Sequence, residues 1–165
     1  MKRRINEIII HCSGSEFGDA DWLNAVHVSP EFGFSKIGYH FVICNGHKRK
    51  YIDYDAKLDG AIETGRNLEE EGAHCKDQNE DTIGICLIGV KSFTKAQFIA
   101  LKVLVKDMLD KFGKLKISGH YECKTGIEQG KTCPNFDMDW FRKDFNDWML
   151  GFRKVEMKYR KVKWK

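Results

Sequence analysis

The sequence has very little proline and no apolar stretch long enough to cross a membrane. Two of the 165 residues are proline, and no run approaches the roughly 18 consecutive apolar residues that a membrane span needs. The apolar run of residues 8–10 follows Lys and Arg residues, but it is shorter than the about 7–15 apolar residues of a secretion signal, and His11 ends it. We therefore expect a chain without a signal peptide that is synthesised in the cytoplasm.

Internal repeats and low-complexity linkers are also absent from the sequence. The composition is 42% hydrophobic and 32% charged, which is typical of a folded globular protein rather than a disordered or fibrous one. A chain of this length can bury a core without disulfide bonds. We predict one catalytic domain over residues 1–150 and a separate basic tail over residues 151–165.

The formal net charge of +4 is concentrated in that tail. Residues 151–165 contain seven Lys or Arg and one Glu, a charge of +6, which leaves −2 for the rest of the chain. A basic tail favours polyanions, so we expect it to contact an anionic wall or membrane surface; the alternative is a solvated chain end. Tyr159 and Trp164 could stack on bases, but the near-neutral body makes a nucleic-acid partner unexpected.

Six cysteines are present, an even number that is compatible with a disulfide framework. Cys44 and Cys86 lie within apolar, strand-like runs, where small buried thiols are common. Without a secretion signal, reduced thiols are expected, and one or more of them could bind a metal ion.

Hydrophobic periodicity predicts an α/β fold, a single domain in which helices flank a mixed central sheet. Asn45-Gly46 is a strong hairpin motif, so the strand after it is predicted to return at once. In the long helix, Thr94 and Gln97 form a capping-box pattern. Predicted strands cover residues 5–11, 37–44, 50–55, 82–90 and 115–119; predicted helices cover residues 21–27, 94–112 and a segment from about 137; predicted loops cover 63–81 and 122–134.

Three metal-binding side chains stand at or near the ends of predicted elements. His11 closes the first strand, His120 closes the last one, and Cys133 follows in the next loop. Ligand sites of α/β folds commonly lie at such sheet edges. Two imidazoles and one thiolate suit Zn²⁺, and a site with three protein ligands leaves a fourth position for water, as catalytic zinc sites do. The spacing matches no local metal motif, and HExxH is absent.

Five short segments occur in a fixed order: IIIHCS, IGYHFVI, GAH before TIGICLIG, GHYE and KTCP. This ordered set resembles the type-2 N-acetylmuramoyl-L-alanine amidases, a family that includes amidase-type phage lysozymes and peptidoglycan-recognition proteins. The resemblance extends over residues 8–137. It implies a mixed central sheet packed by helices, with one catalytic zinc ion at one edge of the sheet.

The resemblance also implies a role for individual residues. His11, His120 and Cys133 would bind zinc, while Tyr39 and Lys131 would be catalytic. His74, in GAH, would line the substrate groove.

Two cysteines near these motifs are rivals for the metal. Cys123 follows His120 by three residues, in a loop that looks longer than in compact phage amidases, and Cys12 is next to His11. We interpret Cys123 as a structural thiol because Cys133 has the matching KTCP context. His40 is expected to be structural, and His27 and His47 are expected to be exposed or to support the site.

The implied activity is zinc-dependent hydrolysis of the amide bond between N-acetylmuramic acid and L-alanine in peptidoglycan. The enzyme would be a monomer that acts on the cell wall after release or export. The alternative is a peptidoglycan-binding module without catalysis, which would lack bound zinc. A second, regulatory function as an inhibitor of RNA polymerase, known in some phage amidases, has no support in this sequence.

Overall fold

The computed structural model describes residues 3–160, with side chains for residues 3–152. Its centre is a five-stranded mixed sheet with the strand order β3-β2-β4-β1-β5. Strands β2, β4, β1 and β5 are parallel to one another, and β3 is antiparallel to β2 at one edge. The mixed sheet predicted from the sequence is confirmed. The strands are β1 (Glu7–Cys12), β2 (Phe41–Asn45), β3 (Asp59–Thr64), β4 (Thr82–Leu87) and β5 (Lys116–Gly119).

Two long helices cover one face of this sheet. They are α2 (Lys95–Phe112) and α4 (Met138–Arg160). The predicted capping box of Thr94 and Gln97 is present at the start of α2. Side chains alternate between the two faces of a strand, so alternate residues of β1, β2 and β4 pack against these helices. The shared core includes Ile8, Ile10, Ile43, Ile85, Leu101, Val105, Phe141 and Phe145.

Shorter segments cover the opposite face. They are α1 (Ala20–His27), the loop between β3 and β4, a 3-10 turn (His120–Glu122) and the short helix α3 (Lys124–Glu128). Leu23 of α1 packs with Val42 and Cys86 from the sheet, while Ile9 packs with Cys75 and Cys123. Loops and short helices rather than long helices therefore cover this face, on which His11 is buried.

Two predictions from the sequence are wrong. Residues 50–55 do not form the strand that pairs with β2; that strand is Asp59–Thr64, in register with Phe41 opposite Thr64. Tyr51 and Ile52 of the predicted strand are 93% and 55% exposed, so this segment does not pack its apolar side chains against the core. The loop predicted over residues 122–134 also contains α3.

The predicted basic tail falls largely outside the described side chains. The backbone of α4 continues through residue 160, and residues 161–165 lie outside the described part of the chain. The boundary at residue 150 and the contact of the tail with anionic surfaces therefore stay predictions. Among the described residues, no helix combines the length and the apolar character that spanning a membrane requires.

Candidate active site

The structure brings together the three residues predicted to bind zinc. One ligand atom from each of His11, His120 and Cys133 lies within 4.8 Å of the others. His11 is the penultimate residue of β1 and is 1% exposed. His120 opens the 3-10 turn directly after β5, and Cys133 lies in the loop after α3. In the described part of the chain, no other group of His, Cys, Asp or Glu is arranged to hold a metal ion.

Backbone contacts hold His120 and Cys133, the two candidate ligands from the loops, against β1. The amide of Tyr121 donates to the carbonyl of Cys133 at 2.9 Å, so the segments that present His120 and Cys133 are directly joined. The amide of Cys12 donates to Cys133 Sγ at 3.1 Å. This bond favours the thiolate, which is the form that binds metals, but the contact with Cys12 and burial raise the pKa of Cys133 overall.

His74 contacts the ring of His11 and helps to orient it. His74 Nδ1 lies 3.1 Å from His11 Nε2, and His74 Nε2 lies 3.4 Å from Thr82 Oγ1. The amide of His74 donates to Asn79 Oδ1 at 2.9 Å. His74 is 8% exposed, and its ring lies over Gly84 of β4, where an added Cβ would meet the imidazole at 2.5 Å.

The loop that presents His74 is fixed by Arg3. The Arg3 guanidinium donates to the carbonyls of Leu68, Asn79 and Thr82 at 2.9–3.0 Å. It also contacts His40 Nε2 at 3.1 Å. His40 in turn accepts a hydrogen bond from the amide of Gly84 through Nδ1, so its predicted structural role agrees with its contacts.

Tyr39 lies on the other side of His11. Its ring centroid is 5.1 Å from that of His11 and 5.3 Å from that of His27. His27 is buried and accepts a hydrogen bond from the amide of Gly38 through Nδ1. His27 is therefore not exposed, and it packs behind the tyrosine, as a supporting residue would.

Lys131 borders an open groove next to the ligand cluster. The groove has a volume of about 420 Å³, and its lining includes Phe34, His74, Cys75, His120 and Lys131. Lys131 is exposed, and its amide is held by the carbonyl of Gly126 at 2.9 Å. All six residues predicted for the site therefore lie in or around one cluster at the sheet surface.

Burial sets the protonation states of this cluster. Burial, helped by His74 and His120, holds the pKa of His11 well below its ordinary value. Burial, with His40 and His120, lowers the pKa of His74 to about 3. Burial and the nearby thiols of Cys86, Cys133 and Cys12 raise the pKa of Tyr39 well above its ordinary value. Near pH 7 the two imidazoles are neutral and Tyr39 keeps its proton, so Tyr39 can donate a hydrogen bond.

The rival cysteines occupy different positions. Cys123 faces Cys75 and Ile9 and is not part of the ligand group. Cys12 contacts Cys133 Sγ through its backbone amide and carbonyl, so a second cysteine lies beside the cluster. All six cysteines are free, as predicted.

Sequence reasoning missed the supporting residues of the site. Arg3 and Thr82 were not singled out, because nothing local in the sequence indicates contacts with residues so far along the chain. Gly84 could have indicated one of these contacts, since a glycine inside a buried strand often marks the close approach of another group.

The fold of this chain is shared by solved amidases and peptidoglycan-recognition proteins. The amidase LysC from Clostridium intestinale has this fold, with a TM-score of 0.70 and 22% identity over 87% of each chain. Drosophila PGRP-LB matches with a TM-score of 0.61 and 24% identity, over 81% of this chain and 76% of its own.

The sequence comparisons identify the family. The family model for N-acetylmuramoyl-L-alanine amidase matches residues 1–136, so the chain belongs to that family and is an amidase. The endolysin of Escherichia phage T7 is 29% identical over 154 residues, which cover 87% of this chain and 90% of the phage protein. The endolysin of Klebsiella phage KP32 is 26% identical over 153 residues, which cover 87% of this chain and 89% of that protein.

Proposed function

We propose that this amidase hydrolyses the bond between N-acetylmuramic acid and L-alanine in peptidoglycan, and that it uses one zinc ion to do so. The observation that supports zinc dependence is the approach of ligand atoms from His11, His120 and Cys133 to within 4.8 Å of one another. The substrate follows from the family match and from the phage endolysins among its relatives.

The donor set fits zinc better than other common ions. Neutral imidazole nitrogens and a thiolate sulfur are zinc ligands, whereas calcium and magnesium prefer oxygen. The lowered pKa of His11 leaves its imidazole neutral and able to bind. Three protein ligands are the number found in catalytic zinc sites. A bound zinc ion supplies Lewis acidity and lowers the pKa of a coordinated water to about 7.

Tyr39 and Lys131 are the residues that we propose to act on the substrate. Amide hydrolysis builds negative charge on the carbonyl oxygen, and donors that are already in place stabilise this charge by roughly 3–4 kcal/mol each. Tyr39 keeps its hydroxyl proton at neutral pH and lies against His11. Lys131 faces the groove beside His120. Either group can also deliver a proton to the departing amine.

His74 is proposed to act through His11 as well as to line the groove. Its short contact with His11 Nε2 and its bond to Thr82 fix the ring orientation of the proposed ligand. Such partners of metal-binding histidines typically change metal affinity by about 10–100-fold. Replacing His74 by alanine should therefore weaken zinc retention; a higher KM with unchanged zinc affinity would instead indicate a substrate contact only.

The alternative is a peptidoglycan-binding module that does not cut. Peptidoglycan-recognition proteins share this fold, but here the two histidines and the cysteine are all present and close together. Metal analysis separates the two functions, because a protein that purifies without zinc and cannot take it up would be a binding module.

The experiment that tests the proposal is digestion of purified peptidoglycan followed by mass analysis of the products. The wild type should release peptides with free L-alanine amino termini and leave the glycan intact. Cys133→Ala should abolish this release and the bound zinc, whereas Cys44→Ala, which removes a buried thiol of β2, should keep both. New reducing sugar ends, or equal activity of Cys133→Ala, would refute the proposal.

A further inference from the structure

Two buried thiols outside the ligand cluster face each other. Cys75 belongs to the loop between β3 and β4, and Cys123 follows the 3-10 turn that begins at His120. Each is 1% exposed, and both pack on Ile9. The two side chains belong to one buried cluster, although the two residues are far apart in the sequence.

Polar contacts on either side keep the two segments in this register. Cys75 Sγ lies 3.5 Å from Thr125 Oγ1. The amide of Lys124 donates to Gln78 Oε1 at 3.0 Å, and Thr125 Oγ1 donates to the carbonyl of Lys76 at 3.3 Å. These bonds hold the two backbones together on either side of the cysteines, and a disulfide further requires Cβ atoms about 3.5–4.5 Å apart.

The other thiols of the chain are less suited to pairing. Cys44 and Cys86 lie within β2 and β4, where the ladder fixes their backbones. Cys12 contacts Cys133, but that sulfur is the proposed zinc ligand and is engaged in the loaded protein. Cys75 also borders the groove of about 420 Å³, but its side chain is 1% exposed, so a small oxidant reaches it when the surrounding loop opens locally.

We propose that Cys75 and Cys123 form a reversible disulfide that fastens the loop bearing His74 to the segment bearing His120. The oxidant is a small-molecule disulfide such as oxidised glutathione. The thiolate of one cysteine attacks the oxidant's S–S bond and releases one glutathione thiol; the second cysteine then displaces the other. One S–S bond forms as one breaks, and the protein's two thiols give up two electrons and two protons.

The disulfide closes a long loop and should stabilise the fold. Linking distant residues reduces the freedom of the unfolded chain, and for a domain of this size we expect a rise in Tm of about 5 °C or more. The three proposed zinc ligands are not consumed, so the oxidised protein should keep its zinc.

The test uses the zinc-loaded full chain, incubated with oxidised glutathione, alkylated, and digested with trypsin without reduction. We expect a linked pair of peptides, residues 67–76 with residues 117–124, a loss of two alkylatable thiols and the higher Tm, all reversed by dithiothreitol. Cys123→Ala should show no rise in Tm, whereas Cys44→Ala should behave as the wild type.

Other outcomes would overturn the proposal. They are a linkage between other cysteines, glutathione adducts without a linked pair, and a Tm rise that persists in Cys123→Ala. Peptide mapping of the wild type distinguishes these outcomes even if that variant fails to fold. It also does not depend on amidase activity, so a failure of the proposed function and a failure of this proposal can be told apart.

Discussion

Adding one methyl group at Gly84 should displace His74 and so disturb the proposed metal site. Gly84 lies in the middle of β4, and a Cβ there would sit 2.5 Å from both Cγ and Cδ2 of the His74 ring. The ring cannot move freely, because Nδ1 is 3.1 Å from His11 Nε2 and the ring packs between the sheet and its loop. Gly84→Ala therefore forces His74 away from its present contact with His11.

Two effects set the size of the change. Overpacking of a dense interior typically costs about 1–3 kcal/mol of folding free energy. Loss of the partner that orients a metal-binding histidine typically lowers metal affinity by about 10–100-fold. We expect Gly84→Ala to show both effects, with the loss of amidase activity at limiting zinc following the loss of metal.

Gly151→Ala is the matched control. It is the same substitution in α4, with no atom within 4 Å of the added Cβ. Alanine is favoured over glycine inside a helix by about 0.8–1.0 kcal/mol. This variant should therefore be slightly more stable than the wild type, with unchanged zinc affinity and activity.

Urea unfolding and zinc competition with a chromophoric chelator measure the two effects separately. The double variant Gly84→Ala/His74→Ala should be less destabilised than the sum of the single variants, because removing the ring removes the clash. Strict additivity, or wild-type zinc affinity in Gly84→Ala, would refute the idea that the His74 ring on Gly84 sets the position of His11.

Three further predictions concern other parts of the molecule. Arg3→Met removes the donor to five backbone carbonyls, those of Leu68, Glu70, Asn79, Glu80 and Thr82, and should lower the free energy of unfolding by about 2–4 kcal/mol, measured in urea. Burial alone would raise the pKa of Asp19, but the amide of Trp22 and the side chains of Lys48 and Arg49 lower it overall. The ionised Asp19 carboxylate thus stabilises the fold fully above its unfolded-state pKa of about 3.9, and this contribution is lost as pH falls through its lower folded-state pKa. The difference in free energy of unfolding between the wild type and Asp19→Asn should therefore narrow below pH of about 4. Lys131→Met should lower kcat by about 10²–10³ without loss of zinc; an unchanged kcat would remove Lys131 from the mechanism.

The elements with a strong local pattern could be predicted from the sequence. The run 82–90 is almost wholly apolar, and the structure places β4 there with all six residues buried. Helix α2 was predictable at both ends, because Thr94 and Gln97 cap its start and Gly113, with φ of 84°, ends it. In these segments local preference and tertiary packing favour the same structure.

The second hairpin strand could not be predicted in this way. Asn45-Gly46 is typical of a two-residue turn, and the segment 50–55 contains Tyr51, Ile52 and Tyr54, residue types that are common in strands. The structure instead inserts residues 46–58 as a loop, closed by a hydrogen bond from the amide of Asp55 to the carbonyl of Gly46 at 2.9 Å. The choice depends on which segment packs against α2, and β3 does so, which periodicity alone does not reveal.

The proposed ligands could be named from the sequence, but the reasons for their convergence are visible only in three dimensions. β1 is the strand between β4 and β5, so His11 lies beside the end of β5, where His120 begins the next turn. Cys133 is held next to this turn by the hydrogen bond from the amide of Tyr121 to the carbonyl of Cys133. The side of the sheet opposite α2 and α4 is covered by loops, and those loops supply His74 and Lys131. The sheet thus positions one proposed ligand, His11, and the loops position the other two beside an open groove. If zinc were held by His11 and His120 without Cys133, the return of the chain after α3 would not be explained by metal binding.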